Sequence, residues 1–535
     1  MCAGHRAIAH PILPAGRGDL ALFGGFAVTA CLIAAAAGAP NAGVPTAPSA
    51  PAPQRLIFVQ IPTRSPAAEE QARHPGGPPD LLPDGSRIVA FDPAEPAKGV
   101  TVLTNGFAAA GRPDLSFDGR RVLFIAKRNP AETFGVWEMG VDGSDPRRVT
   151  DPSVFCADAI YLSTLYTIDA DAPFEQICFL RTGGGRWGNL YTCLPDGTGA
   201  TQITFSPYGV SDPYLLRDGR LLISSPLPAS ERGAPGRWNA SLLTVHTDGT
   251  DLFPFAGVHE SPAFRGMACE TSNGWVVYVE SRAGRIERGG SLVAVRPARS
   301  LHTRRPVAGE KEGTYLTPTA SAGGRLLVAF RGRQAKTYGI YDFDPKTGKR
   351  GACVYDAPDW DEVDAHVIQP RRAPAGRSSV VDRTGDTGFL YCLNAYLSDS
   401  QATGKAADQK IARLQVYRAI RRNPSATTKV SHTLRDGIIT EKLLGEAPVA
   451  RDGSFYLMLP ARMPFRLRTL NADGGVLRSM RSWIWVMPNE HRGCIGCHED
   501  RERAPPNRQP LALRQAPSRL SLDGRKAARS PASNR

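Results

Sequence analysis

Residues 116–126, SFDGRRVLFIA, set an Asp-Gly pair directly before an unbroken apolar run. Asp-Gly supplies the positive φ angles of a tight turn, and a strand apolar on both faces is expected where it lies sandwiched between neighbours. The same unit returns at 82–91 (LPDGSRIVAF), 216–225 (LRDGRLLISS), 271–281 (TSNGWVVYVES) and 321–330 (SAGGRLLVAF). A second strand and turn follow at 135–145 (GVWEMGVDGSD), 189–199 (NLYTCLPDGTG) and 241–251 (SLLTVHTDGTD). Trp137, Met139 and Val141 alternate with Glu138 and Gly140, the pattern of a half-buried strand. Asp142, Asp196 and Asp248 thus begin equivalent turns 54 and 52 residues apart. That period fits a four-stranded propeller blade, and the turn aspartates read as turn caps.

The reading is all-β: a six- or seven-bladed β-propeller over 55–370, then an antiparallel β-sandwich-like domain over 376–480. The early strand RLIFVQIP, 55–62, either closes the ring against the last blade or begins a seventh. Asp356, Asp359, Asp361, Glu362 and Asp364, near His366, read as a solvated connector. Beyond 379 the runs GFLYCLNAYLS, KIARLQVYRAI, SFYLMLP, PFRLRTL and RSWIWVMP alternate and are joined by turns such as NADGG. Trp483 and Trp485 share one strand face, as haem cover or as core.

Residues 1–39 hold Arg6 and Arg17 ahead of the uncharged LALFGGFAVTACLIAAAAGA, which reads as a signal peptide. Retention as an anchor, or lipidation at Cys31, is the alternative, so the chain is expected to be periplasmic or otherwise exported and to touch a membrane only in those cases. Residues 40–54 form a Pro/Ala-rich linker. The net charge is +14, but residues 501–535 hold nine Arg or Lys against two acids, +7 of that total. Half of it therefore sits in residues 501–535, most of which form the basic disordered tail expected over 508–535, and nucleic acid is not expected as a partner.

Of ten cysteines, Cys2 and Cys31 lie in the presequence and Cys494 and Cys497 in a motif. Among the other six, Cys178 and Cys193 sit on consecutive predicted strands and are the favoured disulfide, with buried thiols as the alternative.

The chemistry lies in HRGCIGCHEDR, 491–501. Cys494-Ile495-Gly496-Cys497-His498 has the form of c-type haem attachment: two thiols add across two vinyl groups, and the next imidazole reaches the iron. Gly496 relieves crowding against the porphyrin. One covalent haem c segment, 481–507, is expected, with Cys494 and Cys497 as thioethers and His498 as an axial ligand. A zinc site completed by His491, and a plain cysteine pair or disulfide, are the competing readings. Met487, His491, Met480, Met463 and His432 are the options for the opposite side of the iron. No nucleophile turn Gly-x-Ser-x-Gly and no phosphate-binding loop occurs.

The succession ARDGSFYLMLPARMPFRLRTLNADG, MRSWIWVMPNEHRGCIGCHEDR and APP, following propeller units, resembles the proteins related to the hydrazine synthase alpha subunit. The resemblance spans about 55–507 and implies a propeller followed by a β-rich domain with a covalent haem. The synthase subunit is expected to carry more than one haem and a tyrosine shortly after its catalytic motif. This chain has one Cys-x-x-Cys-His and no Tyr over 499–510. The expected function is redox work, as electron transfer to a partner protein or as haem-based chemistry on a small molecule. The alternative is a propeller scaffold in which the motif is structural.

Overall fold

The computed structural model describes residues 54–63, 82–183, 187–228, 238–257, 263–282, 289–397, 410–422, 438–496, 505 and 507–522. The expected signal peptide over 1–39 and most of the expected linker over 40–54 lie outside them. Among the described residues there are six four-stranded antiparallel sheets between Leu56 and Val367. Their innermost strands are Ala109–Leu115, Cys156–Tyr161, Ser211–Leu215, Phe264–Glu270, Gly313–Ala320 and Trp360–Val367. Each touches the next, and the last touches the first, so they form a closed ring.

Leu56–Pro62 locks that ring, pairing with Trp360–Val367 on one side and Arg87–Phe91 on the other. A sheet built from both ends of the propeller leaves no open seam between its first and last blades. The acidic run was expected to be a connector, yet its later part is this innermost strand. Glu362 is fully buried, accepts from the Gln60 amide at 3.0 Å, and is pushed up to about 7 by burial.

Val122, Leu123, Phe124 and Ile125 are buried on both faces. At about 1.5–3 kcal/mol for each fully buried side chain, such strands supply much of the packing energy of a blade. The next strand, Gly135–Gly140, departs from the half-buried expectation. Glu138 is buried because Arg121 meets it at 2.9 Å, Arg147 pairs with it and the Tyr161 hydroxyl donates to it at 2.8 Å. Charge pairing across strands here defeats the rule that a polar alternation faces water.

The favoured disulfide is also corrected. Cys178 pairs in register with Thr192 and Cys193 with Ile177, so the two cysteines alternate to opposite faces and enter different cores. Both are thiols, and burial pushes Cys193 up to about 12.

The C-terminal domain has two four-stranded sheets. One orders His491–Cys494, Thr387–Cys392, Phe455–Pro460 and Ser518–Arg519; the other orders Ile438–Pro448, Arg413–Arg422, Phe465–Leu470 and Val476–Ser479. Leu390, Leu457 and Leu459 of the first meet Leu414, Val416 and Phe465 of the second in one core. That core continues without a break into Leu221, Val245 and Leu252 of the propeller. The expected disordered tail is ordered in its described part, residues 508–522. Ser518–Arg519 adds to the sheet beside Leu457 and Met458, Leu520 is buried, and Leu511 donates its backbone N–H to the Asp452 carboxylate at 2.8 Å. Backbone pairing, which composition does not reveal, holds this stretch; residues 523–535 lie outside the described set.

Candidate functional site

Cys494 ends the strand His491–Cys494, which runs parallel to Thr387–Cys392 with His491 opposite Phe389, Arg492 opposite Leu390 and Cys494 opposite Cys392. The ladder continues past the strand, since the Leu393 and Asn394 N–H groups donate to the carbonyls of Cys494 and Ile495 at 2.9 and 3.1 Å. Gly496 lies so close to this neighbour that a Cβ would overlap the Leu397 carbonyl oxygen. The glycine is therefore required by the approach of protein backbone, a reason different from the porphyrin crowding expected. Gly496→Ala should cost about 1–3 kcal/mol by forcing the two segments apart, read as a lower urea midpoint; an unchanged midpoint would contradict this packing.

Cys494 is a half-buried thiol packed against the core that also receives Met463 and Met480. Cys497, His498 and His432 lie outside the described residues. The strand separates the remaining axial candidates. His491 points to the outer face, stacked on Phe389 with ring centroids 4.2 Å apart, whereas Cys494 points inward. Met487 is buried against Gly249 of the propeller. Met463, Met480 and Met487 all belong to the core against which Cys494 packs. A thiol on a braced strand end, ahead of a second thiol and an imidazole in sequence, is a donor set that fits thioether attachment of haem.

The segment before the motif is socketed into the propeller turn at residues 248–252. Gly249 takes φ 86° there, with no room for a Cβ beside the Ile203 carbonyl and the Met487 thioether. Trp485 is 1% exposed, donates its indole N–H to the Gly249 carbonyl at 3.0 Å and meets Phe205 edge-on. The buried Glu490 carboxylate accepts the Asp251 N–H at 2.9 Å and the Met487 N–H at 2.6 Å. Arg492, 4% exposed, donates to the Trp485 carbonyl at 3.1 Å and to the Leu252 carbonyl, and its guanidinium lies over the Phe253 ring. Asp248 caps Thr250 and accepts the Ser379 hydroxyl at 2.8 Å. These tryptophans occupy an extended, bridge-linked segment in place of the expected strand, and Trp485 is interdomain core.

A second constellation surrounds the propeller axis. Bulges in the inner strands turn Arg112, Asp212, Met267, Thr317 and Asp364 to φ between 38° and 58°, and Asp158 joins them. They line a cavity of about 770 Å³ whose wall includes His366 and connector residues 369–375. Arg112 lies 3.9 Å from Asp158 and 3.6 Å from Asp212, while His366 meets Asp364 at 3.2 Å. Burial, helped by repulsion from Asp212 and Asp364 and opposed by Arg112, pushes Asp158 up to about 7. The sequence reading missed this ring. Its signal is a single residue within each inner strand, visible only once the six strands are aligned with one another. No group of three or more metal-binding side chains occurs among the described residues.

Burial likewise pushes Glu490 up to about 7 against the pull of Arg492 and its two N–H donors. Asp158, Glu362 and Glu490 ionise near pH 4 when unfolded and near 7 when folded, so the folded state binds more protons between these values. Their contribution to stability is complete below about pH 4 and is lost as pH rises through about 7, at roughly 1–3 kcal/mol per group. The urea midpoint should therefore be lower at pH 8 than at pH 5. Equal or rising midpoints would contradict the burial of these carboxyls.

Residues 399–499 match the family of the hydrazine synthase alpha subunit middle domain, a span that holds the strands from Arg413–Arg422 to His491–Cys494 but not Thr387–Cys392 or Ser518–Arg519. The chain is 24% identical over 521 residues to the hydrazine synthase subunit alpha of Kuenenia stuttgartiensis, covering 78% of this chain and 63% of that protein. It thus spans less than two thirds of the length of that relative. The solved structure of Kuenenia stuttgartiensis hydrazine synthase superposes with a TM-score of 0.72 at 23% identity, over 86% of this chain and 71% of the other. That likeness fixes the fold. No helix among the described residues is long and apolar enough to cross a membrane.

Proposed function

We propose that this chain, a relative of the hydrazine synthase alpha subunit, is an exported monohaem c-type protein with redox function. Cys494 and Cys497 would hold the haem through thioethers, and His498 would bind its iron. The observation that carries the reading is the Cys-x-x-Cys-His motif starting where a socketed strand ends, with its first thiol half-buried. Bound there, haem supplies a one-electron couple whose potential depends on its axial ligands and burial.

The chain's own residues do the positioning. Backbone ladders to Leu393 and Asn394 fix the approach of Cys494 and Ile495. Arg492, Glu490 and Trp485 tie that strand to the propeller, so the motif is presented from a rigid base and not from a free tail. Met463, Met480 and Met487, which belong to the same core as Cys494, are the described thioethers that would be available to a haem held there. Hydrazine synthesis is not part of this proposal, because residues 499–510 contain no Tyr and the sequence holds a single Cys-x-x-Cys-His.

Electron carriage and small-molecule chemistry differ in whether the iron has an open position. Carbon monoxide added to the reduced protein, prepared in a host that attaches haem, separates them. Slow or absent binding that becomes rapid in Met463→Ala, Met480→Ala or Met487→Ala identifies a ligated carrier exchanging electrons with a partner protein. Rapid binding in the unaltered protein places small-molecule chemistry at the iron. Absence of any haem spectrum would overturn the proposal.

A further inference from the structure

The parallel pairing of Thr387–Cys392 with His491–Cys494 sets Cys392 directly opposite Cys494. Residues opposed across adjacent strands lie about 4.8 Å apart between Cα atoms and send their side chains to the same face. A disulfide needs Cα atoms about 4.4–6.8 Å apart, and the strand spacing falls within that range, so closing the bond requires only that the two Cβ atoms tilt together. Leu390 and Cys392 alternate inward, as do Arg492 and Cys494, so both sulfurs belong to the inner face. The register is pinned on both sides, by the bonds from Leu393 and Asn394 and by the Phe389 N–H donating to the Glu490 carbonyl at 2.7 Å. Both residues are thiols in the structure. The attachment motif explains Cys494 and Cys497 but gives Cys392 no task.

We propose that Cys392 and Cys494 form a disulfide in the haem-free protein, and that this bond withholds Cys494 from haem attachment until it is reduced. The oxidant is a small disulfide such as oxidised glutathione. Cys494, the more exposed of the two, attacks one glutathione sulfur as thiolate, forming a mixed disulfide and releasing the first glutathione thiol. The Cys392 sulfur then attacks Cys494 Sγ, the protein disulfide forms and the second glutathione leaves. Two protein thiols are oxidised, one glutathione disulfide is reduced, and the two thiol protons end on the two glutathiones. A dithiol reductant reverses the exchange and returns Cys494. Withholding haem rests on the function proposed above; formation of the bond does not.

The full chain, produced without haem-attachment machinery and equilibrated with oxidised glutathione, is digested without reduction and its peptides are weighed. The expected product joins the Cys392 and Cys494 peptides and separates on reduction; Cys392→Ser abolishes it. A link confined to Cys494 and Cys497, or persistent thiols at both Cys392 and Cys494, would overturn the proposal. Co-production with the attachment machinery under the same oxidant should give at least twice the haem-loaded fraction in Cys392→Ser as in the unaltered protein. An equal fraction would overturn the withholding step. Haem on neither protein would sink the haem reading itself, while the peptide map would still decide the disulfide.

Discussion

Arg492→Ala is expected to destabilise the junction between propeller and C-terminal domain by about 3–5 kcal/mol, the usual cost of removing one partner from a buried charged network. The substitution leaves the Trp485 and Leu252 carbonyls without their donor and strips Glu490 of the neighbouring positive charge that favours its ionised form. It also empties the space over the Phe253 ring. Arg492→Met separates the contributions, because it keeps most of the apolar stem while losing the charge and both hydrogen bonds. Its urea midpoint should lie close to that of the alanine variant. A midpoint near the unaltered protein would show that packing, and not the guanidinium, holds the strand to the propeller. The loss should be larger at pH 8 than at pH 5, since Glu490 is increasingly ionised above about 7 and then lacks its counter-charge.

Trp485→Ala should cost a similar 3–5 kcal/mol through a different mechanism, the removal of a large side chain from a packed core with only partial collapse around the void. Trp485 is in contact with Phe205 and the Gly249 carbonyl on the propeller side and sits among Ile484, Val486 and Met487 on its own. Trp485→Phe retains much of the volume and loses the indole donor, so about 1–2 kcal/mol is expected from the unpaired carbonyl and the smaller ring. Neither change should alter the pH dependence between 5 and 8. If Trp485→Ala left the midpoint within 0.5 kcal/mol, roughly the range of neutral surface changes, the socket would not be the structural link inferred from its contacts.

The propeller was legible because its signals are local. An Asp-Gly turn and the strand after it are read within ten residues, and Gly143, Gly197 and Gly249 adopt the positive φ that such turns demand. The Cys-x-x-Cys-His motif, on which haem is proposed, is conspicuous for the same reason, as its two thiols and imidazole fall within five positions. What escaped depends on partners far along the chain. Asp248 opens a turn equivalent in sequence to those of Asp142 and Asp196, yet only its turn is buried, because Ser379, Trp485, Glu490 and Arg492 arrive from more than a hundred residues away. Nothing in TDGTD distinguishes that socket from an exposed turn. Glu138 and Glu362 were placed toward solvent on their charge, and ion pairs or amide donors from other strands bury them. The acidic stretch before residue 367 hid an innermost strand for the same reason.

The tail shows the converse limit. Pro- and Arg-rich composition argues for disorder, but Ser518–Arg519 needs only two residues of backbone pairing, the burial of Leu520 and the Asp452 cap to be held. Composition measures how much apolar area a segment can bury alone, and a segment that adds to an existing sheet edge needs much less. Cys178 and Cys193 failed as a pair through parity: adjacent strands bring cysteines together only when both face the same side. That rule also singles out Cys392 and Cys494, which the sequence reading had not connected.

The most direct test weighs the mature polypeptide, isolated from its native cells, and maps the peptide that spans Cys494 to His498. The account predicts one added haem on that peptide, resistant to acid-acetone extraction because thioether bonds hold it. Unmodified thiols at Cys494 and Cys497 in protein that is otherwise folded would contradict it.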